Sequence, residues 1–134
     1  MVMIDALVSG GEDAATAVKT FAPADYGADR GTVLEPVLIE CVAQTVAAMH
    51  GAAAQAAGRP PAQGMLVGVR DFRFHQPAPV GRQLRLSVEI TRRLGPFCIA
   101  TGRVCLDETV LAEGELKFYI ADNPGLNDVP GPSA

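Results

Sequence analysis

Residues 32–58 read TVLEPVLIECVAQTVAAMHGAAAQAAG, and this stretch decides the fold. It is the one long run with helical period: Leu38, Val42, Thr45 and Met49 share one side, Val37, Cys41 and Ala48 a second, and Ile39 and Val46 a third. Apolar residues around nearly the whole circumference predict a helix buried on most sides, with a sheet wrapped around it. Thr32 and Glu35 have the capping-box spacing and Pro36 suits a first turn, so the helix is expected to begin near Thr32. Gly58 followed by Pro60 and Pro61 stops it, because glycine accepts the left-handed cap and proline cannot continue the ladder. Two polar residues break the apolar surface. Glu40 and Gln44 are four apart and lie one above the other on a single face. A carboxylate there is costly unless it is paired, exposed in a cleft or used for chemistry, so the pair is the first candidate site.

On either side of the helix the period falls to two. Before it, residues 2–8 and 14–21 flank the turn SGGED and predict a β-hairpin, followed by the irregular loop APADYGADRG. After it, residues 65–74 read as a strand with Gly68 marking a bulge or a close backbone approach. Residues 83–93 alternate cleanly, Leu84, Leu86, Val88 and Ile90 against Arg85, Ser87, Glu89 and Thr91. Residues 97–106 and 110–120 are two further strands, separated from their neighbours by the turns LGP and DET. The expected order is hairpin, long helix, then an antiparallel meander of about four strands. One domain over residues 1–121 and a flexible tail over 122–134, rich in Pro, Gly and Asn, are the expected organisation.

Composition narrows the function classes. The chain has 134 residues, 49% of them hydrophobic, enough for a core without staples. A net charge of -4 argues against nucleic acid or an anionic membrane as partner. No apolar run is read as a membrane span and the N-terminus lacks a basic signal-peptide region, so a cytoplasmic location is expected. Cys41, Cys98 and Cys105 sit in apolar runs without metal-site spacing and read as small buried hydrophobes. No cofactor is expected, since no phosphate loop, metal-ligand cluster or Ser-His-Asp order is present.

Three stretches, taken in order, carry a resemblance. LIECVAQTVAAMHG is similar to the helix of the 3-hydroxyacyl-ACP dehydratases of the FabA/FabZ kind, in which a Glu or Asp is followed by small residues and then Ala-Gln. MLVGVRDFRFHQPAPVGRQLRLSVEI resembles that family's next two strands, and AEGELKFYI its closing strand. The resemblance runs from about Asp5 to Ile120 and is strongest to the histidine-lacking members tied to aryl-polyene and polyketide-type clusters. It implies a hotdog fold of class α+β, an antiparallel sheet of about six strands around one helix. It also implies a homodimer, or a heterodimer with another hotdog chain, that takes acyl-ACP or acyl-CoA into interface tunnels.

The chemistry so implied is loss of water from a 3-hydroxyacyl thioester. A loop histidine takes the proton beside the carbonyl, the helix carboxylate of the other subunit helps the hydroxyl leave, and amides at the helix start hold the enolate oxygen. By position Glu40 matches the carboxylate and Gln44 its hydrogen-bonding neighbour. The histidine has no counterpart: APADYGADRGTVLEP contains none. Candidates for the chemistry are therefore Glu40, His75 and Tyr26, with Asp25 and Asp29 in the same loop; His50 lies ten residues from Glu40 and faces away from it. Candidates for substrate binding are Gln44, Pro36, Gly68, Val67, Val69 and Arg73. Bland alternatives stay open: Glu40 with Gln44 as a satisfied interface pair, His75 as a strand-end histidine, and Arg70, Arg73, Arg82, Arg85, Arg92 and Arg93 as a solvated face rather than a carrier-docking patch. A dehydratase, a silent subunit that pairs with an active one, and a thioesterase are the functions this sequence leaves in play.

Overall fold

The computed structural model describes residues 4–60 and 63–121; the expected tail lies outside them. The helix, α1, spans Glu35–Ala56, and strands β1 (Ala6–Gly10) and β2 (Ala14–Thr20) form the expected hairpin before it. Two short strands, β3 (Ala28–Asp29) and β4 (Thr32–Val33), occupy the loop. After α1 come β5 (Gln63–Phe74), β6 (Gln83–Leu94), β7 (Phe97–Leu106) and β8 (Thr109–Ala121). Six strands make one antiparallel sheet in the order β1-β2-β6-β7-β8-β5, with α1 packed on one face, the hotdog arrangement.

The strand order corrects the expected meander. β6, β7 and β8 follow one another as hairpins, but β5 pairs with β8 at the far edge and β2 takes the place beside β6. Short turns alone predict neighbours, whereas the segment from His75 to Arg82 carries the chain from the β5 edge past β8 and β7 to β6. Arg82 and Arg85 there meet Asp107 at the β7–β8 turn.

Alternation sets the core. Leu84, Leu86 and Val88 of β6 face Ala17, Ala15 and the helix, and Phe21, Leu38, Met49, Leu84, Leu86, Leu111 and Leu116 are completely enclosed. Each such side chain contributes about 1.5–3 kcal/mol relative to exposure. Leu111 breaks the alternation read for the last strand: the β7–β8 register slips between Val104 and Cys105, and the extra residue is turned inward. Mid-sheet, Gly102 and Gly114 are register partners. A side chain on Gly102 would collide with Val42, and one on Gly114 with Phe72. Those two glycines let the helix and the kinked β5 approach the sheet.

The helix departs from expectation at both its start and its surface. Leu34 is the N-cap, in extended conformation and without a side-chain cap, while Thr32 belongs to β4 and donates its hydroxyl to the Asp29 carbonyl. The Thr32–Glu35 spacing is therefore not a capping box. Gly58 does take positive φ, as its position after the helix predicts. By length and apolar composition α1 would suffice to cross a membrane, which the sequence reading passed over, but its Val42–Val46–Met49 side is packed on the sheet. Its other side is not covered: Glu35, Pro36, Glu40 and Ala47 are exposed. An apolar circumference thus reflects small alanines on an open face, not burial on all sides.

Candidate functional site

The open face of α1 and the free edge of β5 adjoin. Among the described residues β5 has one neighbour, β8, and no strand pairs with its outer edge. Along it Met65, Leu66, Val67 and Val69 are 39–63% exposed, unusual for apolar residues in the middle of a strand. Val67 is the extra residue of a bulge between Leu66 and Gly68, the break that Gly68 signalled, and a second irregularity falls between Arg70 and Arg73, where Asp71 adopts φ 52°.

Between helix and edge lies an apolar cavity of about 200 Å³, bordered by Gln44 on the helix and by the register partners Leu66 and Phe118 on the strands. Glu40 stands one turn before Gln44 on the same face, exposed. Of the residues expected to bind substrate, Pro36 and Gln44 lie on this helix face, and Val67, Gly68 and Val69 on the adjoining strand.

Arg73 and His75 do not join them. Arg73 is in register with Glu113, and Glu113 with Arg103, on the sheet face away from α1. His75 Nε2 is 3.0 Å from a Glu113 oxygen, and Arg103 donates to the other at 3.3 Å. The His75 contact, then Arg103, holds the Glu113 carboxyl below its ordinary value of 4.5. His75 thus sits across its own sheet from Glu40, and within one chain the two cannot share a substrate. The arginines likewise form no single patch: Arg82 pairs with Asp107, Arg93 with Asp13 and Arg70 with Asp71, at separate places on the sheet.

The loop before α1 holds Tyr26 and Asp25. Tyr26 is 72% exposed, and Asp25 accepts from the Ala22 amide as a turn residue. Gly27, at φ 94°, lies so close to Val37 that a side chain there would overlap it, which fixes the loop against the first helical turn. The amides at that turn are also largely committed: Val37 and Leu38 donate to the Leu34 carbonyl at 3.0 and 3.3 Å, Leu34 donates to Gly27, and Pro36 has no N–H. The donor set expected at the helix start is therefore reduced to the Glu35 amide. Cys41, just after Glu40, is no nucleophile, since burial pushes its thiol up to about 12. Among the described residues no His/Cys/Asp/Glu group could hold a metal ion.

With this geometry in hand, comparison with known proteins gives the family. A family model for the ApeP-like dehydratases matches residues 1–127. The chain belongs to the ApeP-like dehydratase family. Similar proteins include the 3-hydroxyacyl-[acyl-carrier-protein] dehydratase FabZ of Herpetosiphon aurantiacus, 36% identical over 58 residues, 43% of this chain and 41% of that protein. FabZ of Symbiobacterium thermophilum is 30% identical over 86 residues, 64% of this chain and 58% of that one. The ApeP-like chain therefore spans roughly two-fifths to three-fifths of the curated relatives it matches. Among solved structures, the dehydratase heterocomplex ApeI:P from Xenorhabdus doucetiae superposes with a TM-score of 0.81 at 19% identity, over 96% of this chain and 88% of that one. A thioesterase superfamily protein gives 0.58 at 20%, over 79% and 48%. At such identities these structures share the fold alone.

His50 borders the same cavity as Gln44, which its distance from Glu40 does not reveal. The signal was its place six residues after Gln44, on a neighbouring face of the helix.

Proposed function

We propose that this chain acts in the dehydration of 3-hydroxyacyl thioesters, with Glu40 as the general acid that protonates the departing hydroxyl. The observation that carries it is the exposed Glu40 carboxylate one turn from Gln44, on an uncovered helix face beside an apolar cavity and an unpaired strand edge. In a dehydratase family such a carboxylate would meet a substrate held between the helix and a second hotdog chain paired along β5.

The base and part of the enolate-stabilising set come from that second chain. Support for this lies in what the site lacks: no histidine in residues 22–34, His75 on the wrong face, and a proline at Pro36 where an amide would be needed. The apolar β5 edge supplies the pairing surface, and the ApeI:P structure is a precedent for a hotdog heterocomplex. A 3-hydroxyacyl-ACP or 3-hydroxyacyl-CoA is the substrate that this reading names.

Single-turnover formation of the enoyl thioester, measured for the purified chain and for the assembly it forms with a histidine-bearing hotdog chain, tests the proposal. Turnover by the assembly, lost in Glu40→Gln, is expected. Equal turnover with Glu40→Gln would sink the acid role. Release of free thiol without enoyl product would favour a thioesterase instead.

A further inference from the structure

The cavity beside Gln44 has a closed side. Its helix wall runs through Ala43, Ala47 and His50, and the pair Gly64 and Ile120 continues the strand wall begun by Leu66 and Phe118. α1 ends at Ala56 and β5 begins at Gln63, so Gly64, with its register partner Ile120, is nearer that junction along the chain than Leu66 and Phe118, as His50 is nearer it than Gln44. From Gln44 to His50 the helix rises about 9 Å. The volume, about 200 Å³, is below the ~300–1,000 Å³ usual for drug-sized ligands.

The imidazole at the far end is held in place. His50 Nδ1 is 3.1 Å from the Val46 carbonyl oxygen. A carbonyl only accepts, so Nδ1 carries the proton and the ring is tied back to its own helix. The remaining helix residues at this wall are Val46 and the small Ala43 and Ala47. At Gly64 a Cβ would come within 3.1 Å of Ile120 Cδ1, tight enough that the end of that side chain would have to give by a few tenths of an ångström.

We infer that His50 is the specificity-determining residue of this cavity: its tethered ring is the end wall that limits the chain to short acyl thioesters. The inference rests on the dehydratase reading, in which the acyl chain enters past Glu40 and Gln44. Small residues set the width of the channel, and one ring sets its length.

The test is calorimetric binding of acyl-CoA thioethers of increasing chain length to wild type, His50→Ala and His50→Phe, each in the assembly in which it is isolated. In wild type the affinity rises about fourfold per added methylene, the value for burying one CH₂, up to a limit and then falls. His50→Ala moves that limit at least two carbons longer, and His50→Phe moves it shorter. A common limit for all three proteins, or a uniform loss at every length in both variants, overturns the assignment while leaving the dehydratase reading intact. Failure of wild type to bind any of the thioethers overturns the dehydratase reading itself.

Discussion

Val42 of α1 lies directly over Gly102 of β7, so closely that its Cγ1 occupies the place a β-carbon would need. The helix is therefore seated at a height fixed by one missing side chain. Gly102→Ala should force helix and sheet apart and cost about 1–3 kcal/mol, as overpacked cores do. Urea unfolding with an unchanged slope and a lowered midpoint is the expected result; an unchanged midpoint would mean that the helix shifts freely on the sheet.

Glu40 separates chemistry from stability. It is exposed and takes part in no described ion pair, so Glu40→Gln should leave stability within about 0.5 kcal/mol of wild type. In the active assembly the same change should lower turnover by about 10²–10⁴-fold, the range for a lost general acid. A marked drop in melting temperature would instead mark the carboxylate as a structural pair.

The β5 edge offers a second separation. Val69 is 45% exposed. Val69→Lys should leave the monomer folded but prevent edge pairing, because a charged side chain on a strand edge blocks a partner. Sedimentation velocity would register the fall in mass; an unchanged assembly would place the interface elsewhere.

Acid sensitivity should trace to Glu113. Its carboxyl stays charged to lower pH in the folded chain than in the unfolded one, first through His75. The unfolded chain then takes up the proton first, so this contribution is full above about 4.5 and lost as pH falls through the lower folded value. Glu113→Gln should flatten the acid limb of the stability profile below that pH. The effect is small because the cluster is solvent-exposed.

How much of this was legible beforehand depends on what each residue answers to. The helix, its stop at Gly58 and the strands are local patterns, and the Gly68 bulge was visible as a glycine inside alternation. The pairing of β5 with β8 was not, because short turns describe chain direction and not which edge a strand joins. Gly102 and Gly114 showed the same mid-strand signal as Gly68, but what presses on them, Val42 and Phe72, is distant in sequence. Glu40 and Gln44 stood out as polar residues on an apolar helix. His75 lies beside Glu113 on the sheet face away from α1, which its place at a strand end does not reveal. Pro36 looks like a favourable first-turn residue, and only the bonding of Val37 and Leu38 shows that the helix start keeps a single donor, the Glu35 amide.

The bare β5 edge bears on how much of this protein a cell can keep. A copy without a partner displays Met65, Leu66, Val67 and Val69 beside unpaired backbone groups, a template for aggregation and for quality-control proteases. Under the proposed pairing its abundance would follow the supply of the chain that covers that edge, and synthesis of the two would have to be matched.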